Sequence, residues 1–177
     1  MTSLGTTLVL GGARSGKSAF AERLIGEMQL TKVYLATATA GDDDEMQTRI
    51  AQHRKQRGEN WITIEEPLAL VDTLTRESTI GRVILVDCLT LWLSNLMMAE
   101  RDPEVEAKRL VRFLDVSRYP IVFVSNEVGL GLVPETPLGR AFRDAQGRLN
   151  QTIAAAVNNV AFVAAGLPLW LKRFQEN

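Results

Sequence analysis

Short apolar runs alternate with stretches of helical periodicity along most of the chain. The runs predict strands over 6–10, 33–36, 61–65, 82–87, 120–125 and 160–165. Between them, apolar residues recur at three- and four-residue spacing, which predicts helices over 18–28, 43–57, 67–76, 89–99, 104–117 and 137–158. Val83-Ile84-Leu85-Val86 and Ile121-Val122-Phe123-Val124 are apolar without interruption. Such runs suit strands covered on both faces of a parallel sheet. The alternation of strand and helix predicts a single α/β domain over 1–177, mainly parallel, with helices packed on the sheet.

The last predicted helix has the clearest stripe. Leu138, Phe142, Ala145, Leu149, Ile153 and Ala156 fall on one side, and Arg140, Arg143, Asp144, Gly147 and Gln151 on the other. The polar side is either a solvated surface or an edge of a substrate or subunit contact. No internal repeat, low-complexity tract or linker interrupts the pattern. Lys172 to Asn177 reads as a solvated tail.

Composition narrows the class. The 177 residues suffice for a sizeable core, and 46% hydrophobic with 23% charged residues is ordinary for a soluble globular protein. A net charge of −1 offers no broad basic field for nucleic acid or anionic lipid. The most apolar stretch, Val83 to Ala99, is broken by Asp87, Ser94 and Asn95, so no membrane span is expected. Met1-Thr2-Ser3-Leu4-Gly5 lacks a basic segment, and no targeting leader is expected. The one cysteine, Cys88, rules out an intramolecular disulfide and suits a reducing cytoplasm.

The most informative residues are Gly11, Gly12, Ala13, Arg14, Ser15, Gly16, Lys17 and Ser18, a full match to G-x-x-x-x-G-K-[ST]. A strand precedes them and a helix follows, which is the context this pattern needs. Glycines let backbone N–H groups turn inward around phosphate oxygens, and the helix N-terminus adds partial positive charge. Lys17 is placed to reach β- and γ-phosphates, and Ser18 to offer its hydroxyl to Mg2+. The pattern predicts a nucleoside triphosphate site.

Other residues carry chemistry less uniquely. Asp87 closes four apolar residues at a strand end, where it reads either as a turn residue or as the second magnesium acid of such a site. Asp42-Asp43-Asp44-Glu45 opens the helix over 43–57, where the helix dipole favours acids. His53 is the sole histidine. It shares a helical face with Met46, Ile50 and Arg57, which suits packing. It also lies among Arg54, Lys55 and Arg57, which suits phosphate chemistry, and neutral imidazole can attack phosphorus. Asn126-Glu127-Val128-Gly129-Leu130-Gly131 follows a predicted strand, the place of active-site loops in α/β sheets. Cys88 reads as a small buried hydrophobe.

Taken in order, these segments resemble the bifunctional adenosylcobinamide kinase / adenosylcobinamide-phosphate guanylyltransferase family. The resemblance rests on the loop at 11–18 with Ala21-Glu22, Tyr34-Leu35-Ala36-Thr37-Ala38, Asp43-Asp44-Glu45-Met46, Arg49-Ile50 and His53-Arg54. It continues through Trp61, Glu65, Val86-Asp87-Cys88-Leu89-Thr90, Asn126-Glu127-Val128-Gly129, Phe142-Arg143-Asp144 and Gly147-Arg148-Leu149-Asn150-Gln151. It implies a RecA-like P-loop fold and a homotrimer. It implies phosphorylation of adenosylcobinamide by ATP or GTP, then transfer of GMP from GTP through a guanylyl-histidine onto adenosylcobinamide phosphate. His53 matches the guanylylated position. Thr37, Ala38, Thr39, Arg54, Lys55, Gln56, Arg57, Glu65 and Asp87 match nucleotide-contact positions, with Ser18 and Asp87 serving Mg2+. The alternative is a P-loop kinase for another small molecule, with His53 structural. A nucleotide-dependent switch that transfers no group is the third class.

Overall fold

A computed structural model describes residues 5–38 and 60–174. The strands are β1 (Thr6–Gly11), β2 (Thr31–Ala36), β3 (Trp61–Glu65), β4 (Arg82–Asp87), β5 (Ile121–Asn126), β6 (Asn159–Ala164) and β7 (Leu167–Lys172). The helices are α1 (Lys17–Gly26), α2 (Leu70–Glu77), α3 (Leu89–Met98), α4 (Pro103–Val116) and α5 (Pro137–Ala156). The helix expected over 43–57 lies outside the described residues.

The strands form one sheet in the order β3-β2-β4-β5-β1-β6-β7. All neighbours are parallel except β6 and β7. Alternation within each central strand supplies both faces of the sheet. Ile84, Val86, Ile121 and Phe123 pack with α2 to α5, whereas Val83, Leu85, Val122 and Val124 pack with Phe20, Ala21 and Ile25 of α1. Those central residues are completely or almost completely buried, which accounts for their unbroken apolar runs. Burying such a side chain contributes about 1.5–3 kcal/mol. Trp92, fully buried in α3, satisfies its indole N–H on the Leu68 carbonyl at 3.1 Å.

Local signals set the helix starts. Asp102 caps α4 by accepting from the N–H groups of Glu104 (2.8 Å) and Val105 (3.3 Å), with Pro103 in the first turn. Thr136 caps α5 in the same way, accepting from Gly139 at 3.1 Å.

The C-terminal segment departs from the sequence-based expectation. Lys172 does not begin a tail. It ends β7, and its ammonium donates to the carbonyls of Ala154, Ala155 and Val157 at the end of α5. β7 returns antiparallel on β6 through a two-residue turn in which Ala165 (φ 51°) and Gly166 (φ 78°) both have positive φ. Leu138 is exposed, so the apolar stripe of α5 meets the core from Phe142 onward.

Candidate nucleotide site

The C-terminal edge of the parallel strands assembles the site. Gly11 ends β1 and opens the phosphate loop. Its register partner is Asn126 of β5, and one strand further β4 ends at Asp87, opposite Val124 of β5. Ala36 of β2 pairs with both Asp87 and Glu65. Five strand ends thus bring Gly11, Thr37, Glu65, Asp87 and Asn126 to one edge, where ligands bind in open α/β sheets.

The loop is a backbone device. Ser15 N–H bonds back to the Gly12 carbonyl at 3.3 Å, and Gly16 precedes α1 in the left-handed region at φ 91°. No side chain caps α1. Its first-turn N–H groups therefore lack a side-chain acceptor and suit phosphate oxygens. The β6–β7 turn braces the loop from behind. Gly166 N–H donates to the Ser15 carbonyl at 2.8 Å, and a Cβ on Gly16 would stand 3.0 Å from the Gly166 Cα.

Lys17, the first residue of α1, donates its ammonium to the Gly12 carbonyl at 3.1 Å. Burial pushes this lysine below the ordinary range, and Cys88 and Asp87 pull it back up. Asp87 accepts from the Tyr34 hydroxyl at 3.1 Å through Oδ2, leaving Oδ1 without a partner among the described residues. Ser18 is half-buried, and its hydroxyl also has no described partner. A free hydroxyl and a carboxylate oxygen are donors that suit Mg2+, which takes few protein ligands and fills its shell with phosphate and water. Among the described residues, no group of three or more His, Cys, Asp or Glu side chains could enclose an ion by itself.

Thr37 is fully buried, and its hydroxyl is spent on the chain rather than turned outward. It accepts from Cys88 N–H at 2.8 Å and donates to the Cys88 carbonyl at 2.7 Å, while Thr37 N–H donates to the Asp87 carbonyl at 3.2 Å. The peptide between Asp87 and Cys88 is cis. Asn95 of α3 closes the arrangement by donating to the Thr37 carbonyl at 2.8 Å. Cys88 is buried as expected. Burial, and then the Asp87 carboxylate, push its thiol up to about 11, against the lowering effect of the Leu91 and Thr90 N–H groups and of Lys17. Ala38 follows at the same edge, half-buried, and Glu65 ends the edge strand β3. Gly12, Ala13, Arg14 and Ser15 form the turn of the loop, with Arg14 at φ 56°. Thr39, His53, Arg54, Lys55, Gln56 and Arg57 lie outside the described residues.

The reading by pattern missed one group. Behind β5, Gln146 is fully buried and donates to the Ser125 hydroxyl (3.0 Å) and to Asn150 Oδ1 (2.9 Å). Ser125 donates to the same Asn150 oxygen at 2.7 Å, and Asn150 Nδ2 donates to the Asn126 carbonyl at 3.0 Å. Glu127 N–H then donates to the Gly11 carbonyl at 3.0 Å. Helix α5 is thereby hydrogen-bonded to the loop following β5, and that loop to the phosphate loop. The only trace of this in the sequence is the run of amide side chains at Gln146, Asn150 and Gln151.

Among solved structures, the fold is similar to the flagellar accessory protein FlaH of Methanocaldococcus jannaschii. The TM-score is 0.56 with 14% identity, covering 97% of this chain and 80% of that one. It is also similar to the RadB recombinase, with a TM-score of 0.52 and 14% identity over 90% of this chain and 74% of that one. These likenesses place the chain among RecA-like P-loop folds. Sequence likeness is much closer. The bifunctional adenosylcobalamin biosynthesis protein CobP of Pseudomonas aeruginosa is 50% identical over 167 residues, covering 93% of this chain and 96% of that protein. CobU of Escherichia coli is 38% identical over 180 residues, covering 93% and 98%. The model of cobinamide kinase / cobinamide phosphate guanyltransferase matches residues 7–171. With its phosphate loop and Asp87 brought to one sheet edge, the chain belongs to the cobinamide kinase / cobinamide phosphate guanyltransferase family.

Proposed function

We propose that this chain performs two successive transfers on one corrinoid substrate, as its family membership supports. First, the hydroxyl of the aminopropanol arm of adenosylcobinamide takes the γ-phosphoryl group of ATP or GTP. Second, GMP from GTP passes through His53 to the phosphorylated cobinamide, releasing pyrophosphate and giving adenosyl-GDP-cobinamide. The observation that carries this reading is the family match over residues 7–171 in a chain whose phosphate loop and Asp87 meet at one sheet edge.

The residues divide the work as follows. Loop N–H groups from Gly11 to Ser18 and the start of α1 hold the phosphates. Lys17 exchanges its Gly12 carbonyl for a phosphate oxygen. Ser18 and Asp87 hold Mg2+, which when bound offsets phosphate charge. Thr37 sets the position of Asp87 through the backbone. Ala38, Thr39 and Glu65, with Arg54, Lys55, Gln56 and Arg57, complete the nucleotide contacts, and the cations of the last group offset charge at the phosphorus that His53 attacks.

The proposal extends to assembly and place. Among the described residues β7 has no strand partner on its outer edge, and along it Leu167, Leu169 and Leu171 are 73%, 62% and 59% exposed. Alternate apolar positions on an open edge favour burial against another copy. Three copies follow from the family resemblance, and light scattering at the 19.6 kDa monomer mass would contradict an oligomer. The single, buried cysteine fits work in the cytoplasm, and no helix among the described residues is long and apolar enough to cross a membrane.

The test is His53→Ala. Incubation with α-labelled GTP and Mg2+, followed by denaturing mass measurement, should show a GMP adduct on the parent and none on the variant. Kinase turnover should remain measurable in the variant, because in-line transfer to a hydroxyl needs no covalent intermediate. A variant that forms the adduct at the parental rate would remove His53 from this role.

A further inference from the structure

The segment between β5 and α5 spends polar groups on holding its own shape and leaves its leucines in water. Residues 127–136 join Asn126, the last residue of β5, to Pro137, the first of α5. Glu127 N–H donates to the Gly11 carbonyl at 3.0 Å, and the Glu127 carboxylate accepts from Gly129 N–H at 2.7 Å. Arg140 donates from its guanidinium to the carbonyls of Pro134 (3.0 Å) and Glu135 (2.7 Å). Pro134 lies close against Gly139, where an added Cβ would stand 2.8 Å from the proline Cβ. Yet Leu130 and Leu132 are 82% and 96% exposed, and Val133 and Leu138 are exposed as well. A single leucine in water is ordinary. Several in one short loop, tied down beside a ligand site, mark a binding surface.

Position names the occupant. The loop is bonded to Gly11, which opens the phosphate loop, so it borders the place of the triphosphate. In the kinase step the acceptor hydroxyl has to reach the γ-phosphorus. The rest of the acceptor then lies outside the same sheet edge. That rest is a corrin, a broad macrocycle edged with methyl groups and amides. An apolar shelf beside the phosphates matches such an edge, and a shelf already ordered loses little freedom on binding.

We propose that Leu130, Leu132, Val133 and Leu138 form a shelf for the corrin macrocycle of the acceptor and set its affinity rather than the rate of transfer. This rests on the two-transfer reading above. Formation of the GMP adduct involves only GTP and the protein, so it makes no use of the shelf.

The test is steady-state kinetics of the double variant Leu130→Ser/Leu132→Ser. Both side chains are exposed, so the thermal midpoint should hold. The KM for adenosylcobinamide should rise at least about tenfold. The kinase kcat and the KM for GTP should change by less than about threefold, as expected when binding shared by ground and transition states is removed. GMP adduct formation from GTP alone should keep the parental rate. Leu130→Met/Leu132→Met keeps the apolar surface and should leave the corrinoid KM within about threefold of the parent. A corrinoid KM that stays within about threefold of the parent in the serine variant overturns the proposal. So does a fall in mass by light scattering with loss of both activities, which would assign the loop to contact between copies of this chain. If the parent itself transfers no phosphate to adenosylcobinamide, the two-transfer reading fails separately. Equilibrium dialysis of dicyanocobinamide, followed by its visible absorbance, then decides the question. Binding by the parent that is lost in the serine variant supports the shelf, and equal binding by both, or none by the parent, overturns it.

Discussion

One hydroxyl, that of Thr37, holds both the N–H and the carbonyl of Cys88, at 2.8 and 2.7 Å. Because Cys88 directly follows Asp87, this contact fixes the end of β4 and with it the position of Asp87, the acid proposed for Mg2+.

Thr37→Val keeps the shape of the side chain and removes both bonds. The buried Cys88 N–H then loses its partner, at a cost of about 1–3 kcal/mol, while the Cys88 carbonyl keeps the Trp92 N–H at 3.1 Å. Chemical denaturation should show that loss. A Mg2+ titration of kinase turnover should show a raised half-saturating concentration, because Asp87 is less firmly placed. A variant with parental Mg2+ dependence would confine Thr37 to a stability role.

Gly16→Ala tests the brace behind the loop. At φ 91°, any side chain is strained by about 1–2 kcal/mol. The added Cβ also meets the Gly166 Cα at 3.0 Å, so one of the two turns must move. GTP affinity, measured calorimetrically, should fall by at least about tenfold. Parental affinity would show that the loop tolerates displacement from the β6–β7 turn.

Lys17 makes nucleotide affinity depend on pH on the alkaline side. Burial lowers its pKa below the ordinary 10.5 in the free protein, and a bound phosphate favours the charged form. Binding therefore takes up a proton once pH exceeds the lowered value. GTP affinity should decline from there upward, starting before an ordinary lysine would titrate. Titrations in buffers of different ionisation enthalpy should reveal the uptake, and its absence in Lys17→Ala should identify the group. In the ligand-free fold the same shift gives stability that rises with pH between the lowered value and 10.5, because there the unfolded chain binds the proton more tightly.

Cys88 should resist alkylation in the native protein. With its thiol raised to about 11, the thiolate is scarce at neutral pH, and burial blocks approach. Iodoacetamide at pH 8 should leave the mass unchanged for the folded protein and add one label after denaturation, since the chain has a single cysteine. Rapid native labelling would mean that the Asp87–Cys88 turn opens readily.

Much of the arrangement was legible because it depends on local pattern. Val83 to Val86 and Ile121 to Val124 are apolar without interruption because both faces of their strands are covered. The phosphate loop announces itself because few sequences allow backbone N–H groups to converge. β7 was not legible. Its apolar residues Leu167, Leu169 and Leu171 are exposed, Pro168 argues against a strand, and the turn at Ala165-Gly166 lacks the usual Asn-Gly or Asp-Gly. The Ser125, Gln146 and Asn150 cluster was hidden for another reason. Residues 21 and 25 positions apart meet only after α5 packs behind β5, and a helical wheel carries no such information. The bonds of the Thr37 hydroxyl to the Cys88 backbone were not legible either, because the two residues lie 51 positions apart and meet only when β2 and β4 pair.

The position of β5 has a consequence for how the molecule comes into being. β1 touches β5 and β6, and β4 touches β2 and β5, so before β5 arrives the two halves of the nucleotide site share no strand edge. A nascent chain that has emerged only as far as α4 carries both Lys17 and Asp87 and still has no strand linking them. Competence to bind GTP comes late in synthesis, after residue 126 has left the ribosome and inserted between strands that were made much earlier.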